Sequence, residues 1–298
     1  MPPALQLATG NLLLGSLGVF VAESGQDVAT VVFWRCVFGA LALAAYVGAA
    51  GLPAPHRLGR RGLAIAALTG LLMVGNWLLF TAALGRVGIA LATITFHVQP
   101  FLVVLLGAVL LGERPGAARI AWVALGFAGL LAAIGPERLL QPGGDAYLAG
   151  IGCALGGALL YAAVTLLAKR IAGVPAPTLT LVQCLVGIPL LAALGPAMPP
   201  AVGPAAFAWL AGIGLVHTGL VYVLVYGALP GLGTPVIAAL TFLYPAAAVL
   251  VDAAVYGRLP DPGQAAGLAL IVLASAGSTL GWRWPERVPR GAGWGRDR

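Results

Sequence analysis

A few side chains able to hydrogen-bond, stack or exchange protons stand inside the long apolar runs of this chain. Asn76 and Phe80 are one helical turn apart, with Trp77 beside them. Thr93 and His97 repeat that spacing, and Gln99 precedes Pro100. His217 adjoins a polar stripe of Thr218, Tyr222 and Tyr226, and Thr241 and Tyr244 follow in the next run. Amides, imidazoles and aromatic rings together can hold a zwitterionic or amphipathic solute, the polar end by hydrogen bonds and the apolar part by ring packing. The substrate-binding set read this way is Asn76, Trp77, Thr93, His97, Gln99, His217, Tyr222 and Tyr244. Each has a plainer alternative, because such groups also satisfy a neighbouring helix carbonyl.

Three residues are candidates for coupling or gating: His97, Arg35 and Asp252. An imidazole with an ordinary pKa of about 6.5 can exchange protons near neutrality. The expectation for His97 is nevertheless a neutral ring bonded across helices, with proton coupling the alternative. Arg35 is expected to snorkel outward or to pair with Glu23, Asp27 or Asp252, and binding of a substrate carboxylate is its alternative. Asp252, near one end of its run, reads as a structural group with a gate or proton site as the second possibility.

Other chemistries lack their parts. Ser16 and Ser24 have no nucleophile-elbow context, and Asp252 is the only aspartate within an apolar run, so neither type of intramembrane protease fits. Prenyl transfer with a metal-held diphosphate would want clustered aspartates, and the nine acidic residues are dispersed. His56, His97, His217 and the cysteines at 36, 153 and 184 show no metal-ligand spacing. The glycines follow no phosphate-loop pattern, and Lys169 is the sole lysine. No enzyme, metal, cofactor or nucleotide is expected.

Positioning these groups requires a membrane. Of 298 residues, 8% are charged and 60% hydrophobic, against roughly 25% charged in a soluble domain. The mean hydropathy is +1.00. So few charges cannot clothe a soluble surface, which excludes soluble, disordered and nucleic-acid-binding classes. The net charge of +7 comes from basic residues scattered through loops and tail. Runs of about 20 apolar residues predict ten helices, at 4–22, 28–50, 62–84, 88–111, 117–135, 147–168, 177–195, 205–228, 233–256 and 263–282. No alternation of the β-barrel type is present. The first run lacks a preceding Lys or Arg and a following A-x-A-like site, so it is expected to be a span rather than a cleaved signal.

Lys and Arg crowd the loops on one side. With the N-terminus inside, Arg57, Arg60, Arg61, Arg114, Arg119, Lys169, Arg170 and the tail arginines are cytoplasmic. Only Arg86, Arg138 and Arg258 lie outside. Both ends are therefore expected in the cytoplasm, and the location in the cell (inner) membrane.

The halves of the chain repeat at a fixed offset of 145 residues: Gly88 with Gly233, Pro100 with Pro245, Gly112 with Gly257 and Pro115 with Pro260. Arg35-Cys36-x-x-Gly39 matches Gln183-Cys184-x-x-Gly187 more weakly. Five spans per half, an odd number, turn the second half over, which is the inverted repeat of many secondary transporters. The prolines at mid-helix free backbone carbonyls that must be buried or line a cavity, which places the pathway between the third, fourth, eighth and ninth spans. The predicted fold is an all-α integral membrane protein of ten transmembrane helices in a 5+5 inverted-topology repeat. Its units are a first repeat at 1–135, a linker at 136–146, a second repeat at 147–282 and a basic cytoplasmic tail at 283–298.

With Ala83-Leu84, Gly88, Pro100, Gly112-Glu113-Arg114-Pro115, Gly126 and Gly129, and with Arg35 early in the second run, this pattern resembles the EamA type of the drug/metabolite transporter superfamily. The likeness covers both halves but is degraded in the second, where Arg258-Leu259 replaces Glu113-Arg114. It implies a secondary transporter of small organic metabolites, often an exporter, and no single substrate. Glu113-Arg114 is read as a folding and anchoring motif. An uncoupled facilitator, a channel-like permease and a non-transporting scaffold are the rival functions, and the short tail leaves no room for a sensor's output domain. The expected partners are a small-molecule substrate and the lipid bilayer, with no nucleic acid. The Gly263-x-x-x-Gly267 spacing allows close helix packing, and either a monomer or a homodimer is compatible with it.

Overall fold

The computed structural model of the chain describes residues 1–112, 116–134, 144–171, 173–199, 201–232, 236, 240–241 and 243–282. Among these the regular structure is helical. In hydrocarbon every backbone N–H and C=O must find a partner within its own segment, and an apolar run meets that demand only as a helix. Six helices are long and apolar enough to cross a membrane: Pro3–Ser24, Val28–Ala49, Arg60–Val87, Ile89–Leu110, Gly144–Ile171 and Pro204–Gly231. The shorter apolar helices Ala117–Ile134, Ala176–Ala192, Leu243–Tyr256 and Pro262–Leu280 complete the ten spans among the described residues. They are called spans 1 to 10 in chain order. Leucines and valines that point outward, such as Val109 at 80% exposure, face lipid.

Three spans carry interruptions that the hydropathy pattern does not reveal. Span 1 bends at Ser16, whose amide bonds the Leu13 carbonyl at 3.0 Å and whose hydroxyl donates to the same oxygen at 2.8 Å. Span 4 breaks between Phe96 and Gln99, where Pro100 has no amide hydrogen to give the preceding turn. Span 8 widens into a π-helix over Ile213–Leu220 before returning to an α-helix. Such wide turns recur at functional sites because they displace side chains from the ordinary helical register.

The two halves interlock: span 3 lies along span 6, span 2 along spans 7 and 8, and span 1 along spans 8 and 9. Glycine makes the tight crossings possible. A methyl on Gly267 would strike the Gly129 carbonyl at 2.5 Å, so spans 5 and 10 touch backbone to backbone. The Gly263-x-x-x-Gly267 face is thus packed inside the bundle.

The repeat is visible in side-chain geometry. Gly112 and Gly257 end spans 4 and 9 with φ of +65° and +68°, a left-handed cap that a Cβ would strain. Arg35 of span 2 donates to Thr218 of span 8 at 2.9 Å, and Gln183 of span 7 donates to Thr69 of span 3 at 3.3 Å. Spans 2 and 7 are repeat mates, as are spans 3 and 8, so one contact occurs twice. It is made once with a charge and once with an amide. Cys36 and Cys184, aligned in sequence, meet in the buried centre between them. Glu113, Arg114 and Pro115, linker residues 136–143, Gly233, Phe242, the 283–298 tail and the Arg119 side chain lie outside the described residues.

Candidate functional site

A cavity of about 300 Å³ lies where the halves meet. Spans 3, 4, 8 and 9 line it as the sequence leads one to expect, and spans 1, 2 and 6 line it as well. It runs from Leu17 and Phe80, near the middle of the bundle, to Leu7 and Leu229 at the end that carries the N-terminus. Beyond Leu17 and Phe80 the bundle is closed by Leu84, Ile89 and Ala248, packed with them in one buried cluster. At the rim of that packing the Tyr256 hydroxyl donates to Glu23 at 2.7 Å, joining span 9 to span 1.

The interruptions aim side chains at this space. At the end of the short helix Ile89–Phe96, the His97 ring turns back so that Nδ1 lies 2.9 Å from the Thr93 carbonyl. A carbonyl only accepts, so Nδ1 carries the hydrogen and Nε2 is left as the nitrogen able to take a proton. The partner is thus in its own helix, not across helices as expected, while the ring leans on Tyr244 of span 9 with centroids 5.1 Å apart. Asn76 donates to the Gly157 carbonyl of span 6 at 2.8 Å, a buried bond that fixes its amide at the wall.

Aromatic rings form most of the remaining surface. Phe80 and Phe96 pack at a tilt with centroids 4.9 Å apart, and Phe96 leans on Tyr161 at 5.9 Å. Tyr222 and Tyr226 lie 5.6 Å apart along span 8. Tyr161 meets the Tyr226 hydroxyl, Tyr222 meets the Trp77 indole, and Tyr244 meets Thr93. Each phenol keeps a polar tip in a largely apolar chamber.

Arg35 departs most from expectation. It does not snorkel, and among the described residues it pairs with no acid. It is 5% exposed, lines the cavity, and holds its guanidinium carbon 4.5 Å from the centroid of Trp77. The three acids expected beside it are engaged elsewhere. Glu23 accepts from Tyr256, Asp27 caps span 2 through the Ala29 and Thr30 amides, and Asp252 accepts from the Ala90 amide at the start of span 4.

Of the residues singled out from sequence, Arg35, Asn76, Trp77, His97, Gln99, Tyr222 and Tyr244 therefore share one chamber. Thr93, His217 and Asp252 do not line it. Thr93 stands behind His97 and Tyr244. His217 is fully buried at the bend of span 1, with Nε2 3.0 Å from Ser16 Oγ and its ring against Phe20. Because the Ser16 hydroxyl already donates to Leu13, the histidine is the donor of that pair. Asp252 belongs to the shut end, with Oδ1 lacking a partner among the described residues.

Asn11, Phe96 and Tyr161 line the cavity and escaped the sequence reading. Asn11 offered a signal, an amide within an apolar run, that its place in the first span obscured.

Comparison with known proteins gives consistent results. The chain matches the EamA-like transporter family over residues 2–135 and again over 148–280. It is 28% identical over 283 residues to an uncharacterized transporter, YxxF, of Bacillus subtilis (strain 168), covering 91% of this chain and 88% of that one. A solved crystal structure of another protein superposes with a TM-score of 0.67 at 21% identity, covering 93% of this chain and 98% of that one. At that identity the likeness concerns the fold.

Proposed function

The chain belongs to the EamA-like transporter family, a multi-pass membrane protein by its apolar helices, and from that premise we propose that it carries a small amphipathic organic metabolite by alternating access. The observation that carries the reading is a single aromatic and amide-lined chamber built from both halves, reaching one end of the bundle while the other end is packed shut. Rocking of the halves about that chamber would close the first end and open the second. The basic loops favour a cytoplasmic N-terminus in an inner membrane. The cavity then faces the cytoplasm, which suits export of an amino-acid-like or other amphipathic solute.

His97 is the group through which a proton would be coupled, since Nε2 is unoccupied by the Thr93 bond and the ring lines the chamber. Asp252 and the Glu23–Tyr256 bond are the elements of an outer gate. An uncoupled facilitator is the second reading, favoured by the same chamber if no proton moves.

Flux of metabolite pools into and out of proteoliposomes, with and without a pH gradient, decides between them. Coupled transport predicts flux that follows the gradient, falls in Asn76→Ala and Tyr222→Ala, and loses its pH response in His97→Gln. Flux that ignores the gradient in the wild type supports the facilitator. Absence of flux for every class tested removes the carrier reading.

A further inference from the structure

The charge balance of the chamber bears on the kind of solute it takes. A guanidinium presents five N–H donors and stays protonated at any physiological pH. Among the described residues only Nε of Arg35 finds a protein acceptor, Thr218 Oγ1, and one face is covered by Trp77. Its terminal amino groups have no acceptor among the described residues, although the side chain is 95% buried and lines the cavity. No aspartate or glutamate is among the described residues of the lining. The repeat mate of this arginine is Gln183, and its bond to Thr69 shows that a neutral amide satisfies the same structural contact. The positive charge is therefore surplus to the packing of span 2 on span 8.

We propose that the chamber is selective for organic monoanions: carboxylic acids with an apolar body and no ammonium group. This rests on the reading of the chamber as the solute site. The carboxylate takes the two terminal amino groups of Arg35 in the bidentate geometry that guanidinium favours. The apolar body lies among Trp77, Phe80, Tyr222 and Tyr244. A cation or the ammonium of a zwitterion would enter beside a fixed like charge, with no carboxylate to receive it. A small inorganic anion would satisfy Arg35 but leave the ring surfaces unfilled.

The test uses purified full-length protein in nanodiscs, with binding read by titration calorimetry and by tryptophan fluorescence. The probes are 3-phenylpropionate, its neutral amide, 2-phenylethylamine, phenylalanine and chloride. The acid is expected to bind at least about tenfold tighter than the amide and phenylalanine, with no saturable binding of the amine. Arg35→Gln should bind the acid no tighter than the amide, and Arg35→Lys should recover part of the preference.

Equal or tighter binding of the amine or phenylalanine, undiminished acid affinity in Arg35→Gln, or no binding of the acid overturns the proposal. Displacement of the acid by millimolar chloride also overturns it, because the apolar body would then contribute nothing. Should Arg35→Gln fail to fold, the ranking of the probes on the wild type decides alone. Flux separates the two readings. Bound acid that does not move removes the carrier and keeps the anion site, whereas transported amine keeps the carrier and removes the anion site.

Discussion

At the scale of single residues, bonds to backbone carbonyls do as much as chemistry to hold the chamber in shape. Asn76 ties span 3 to span 6 through the Gly157 carbonyl inside the bundle. Asn76→Ala removes that bond but leaves the Gly157 carbonyl in the helical ladder of span 6, at a cost of about 0.5–1.5 kcal/mol. Lower thermal stability in detergent and a several-fold loss of flux are expected together. His217→Ala should separate the two effects. It removes the ring that fills the bend at Ser16 but nothing that lines the cavity, so the melting temperature falls while ligand affinity in the folded fraction stays. Equal affinity losses in the two variants would contradict this division. Sequence could not draw it, because His97 and His217 look alike as imidazoles deep in apolar runs. Whether each faces the chamber or the packing is set by local irregularities, the break before Gln99 and the π-turn over 213–220. Both shift side chains around the helix without leaving a mark in hydropathy.

At the scale of elements, helix ends and crossings govern stability. Asp27 starts span 2 at the surface by accepting from the Ala29 and Thr30 amides and the Thr30 hydroxyl. Partial burial raises its pKa, but these donors outweigh burial and hold the carboxyl below its usual range. A group depressed in the folded state stabilises fully above its unfolded pKa, and that contribution is lost as pH falls through the folded value. Acid unfolding of the wild type should therefore steepen below about pH 4, relative to Asp27→Asn, which caps without titrating. Matching acid profiles for the two proteins would refute the assignment. In the span 5–span 10 pair, Gly267→Leu drives a side chain into the Gly129 backbone. The yield of folded, monodisperse protein should collapse, while a leucine at Gly152, where a Cβ meets nothing within 4 Å, should be tolerated. Hydropathy alone located these elements, because a span's length and apolarity are local properties. Which glycines serve crossings is a property of pairs of spans, and in a chain with 43 glycines that information is absent from any one stretch.

At the scale of the whole molecule, the repeat supplies two nearly equivalent halves and the chamber lies between them. The anchors Gly112 and Gly257 announced the repeat in sequence and cap equivalent spans in space. The crossed Arg35–Thr218 and Gln183–Thr69 contacts were hidden, because each joins residues from opposite halves. If the Glu23–Tyr256 contact marks an outer gate, cysteines placed at those two positions and bridged by a flexible bifunctional maleimide should stop flux and leave binding from the opposite side intact. Continued flux in the bridged protein would remove this contact from the gate. One more consequence follows from the Arg35 guanidinium inside the bundle. A carrier that is empty with a net positive site, and neutral once loaded with an anion, is an electrical device. Across a membrane each elementary charge is worth about 2.3 kcal/mol per 100 mV. An interior-negative voltage would hold the unloaded site toward the cytoplasm, and the step that returns it there would quicken as the cell polarises. Energised cells would then bias this protein toward discharge of acids with no co-transported ion at all, and imposed potassium-diffusion potentials in liposomes would set its turnover.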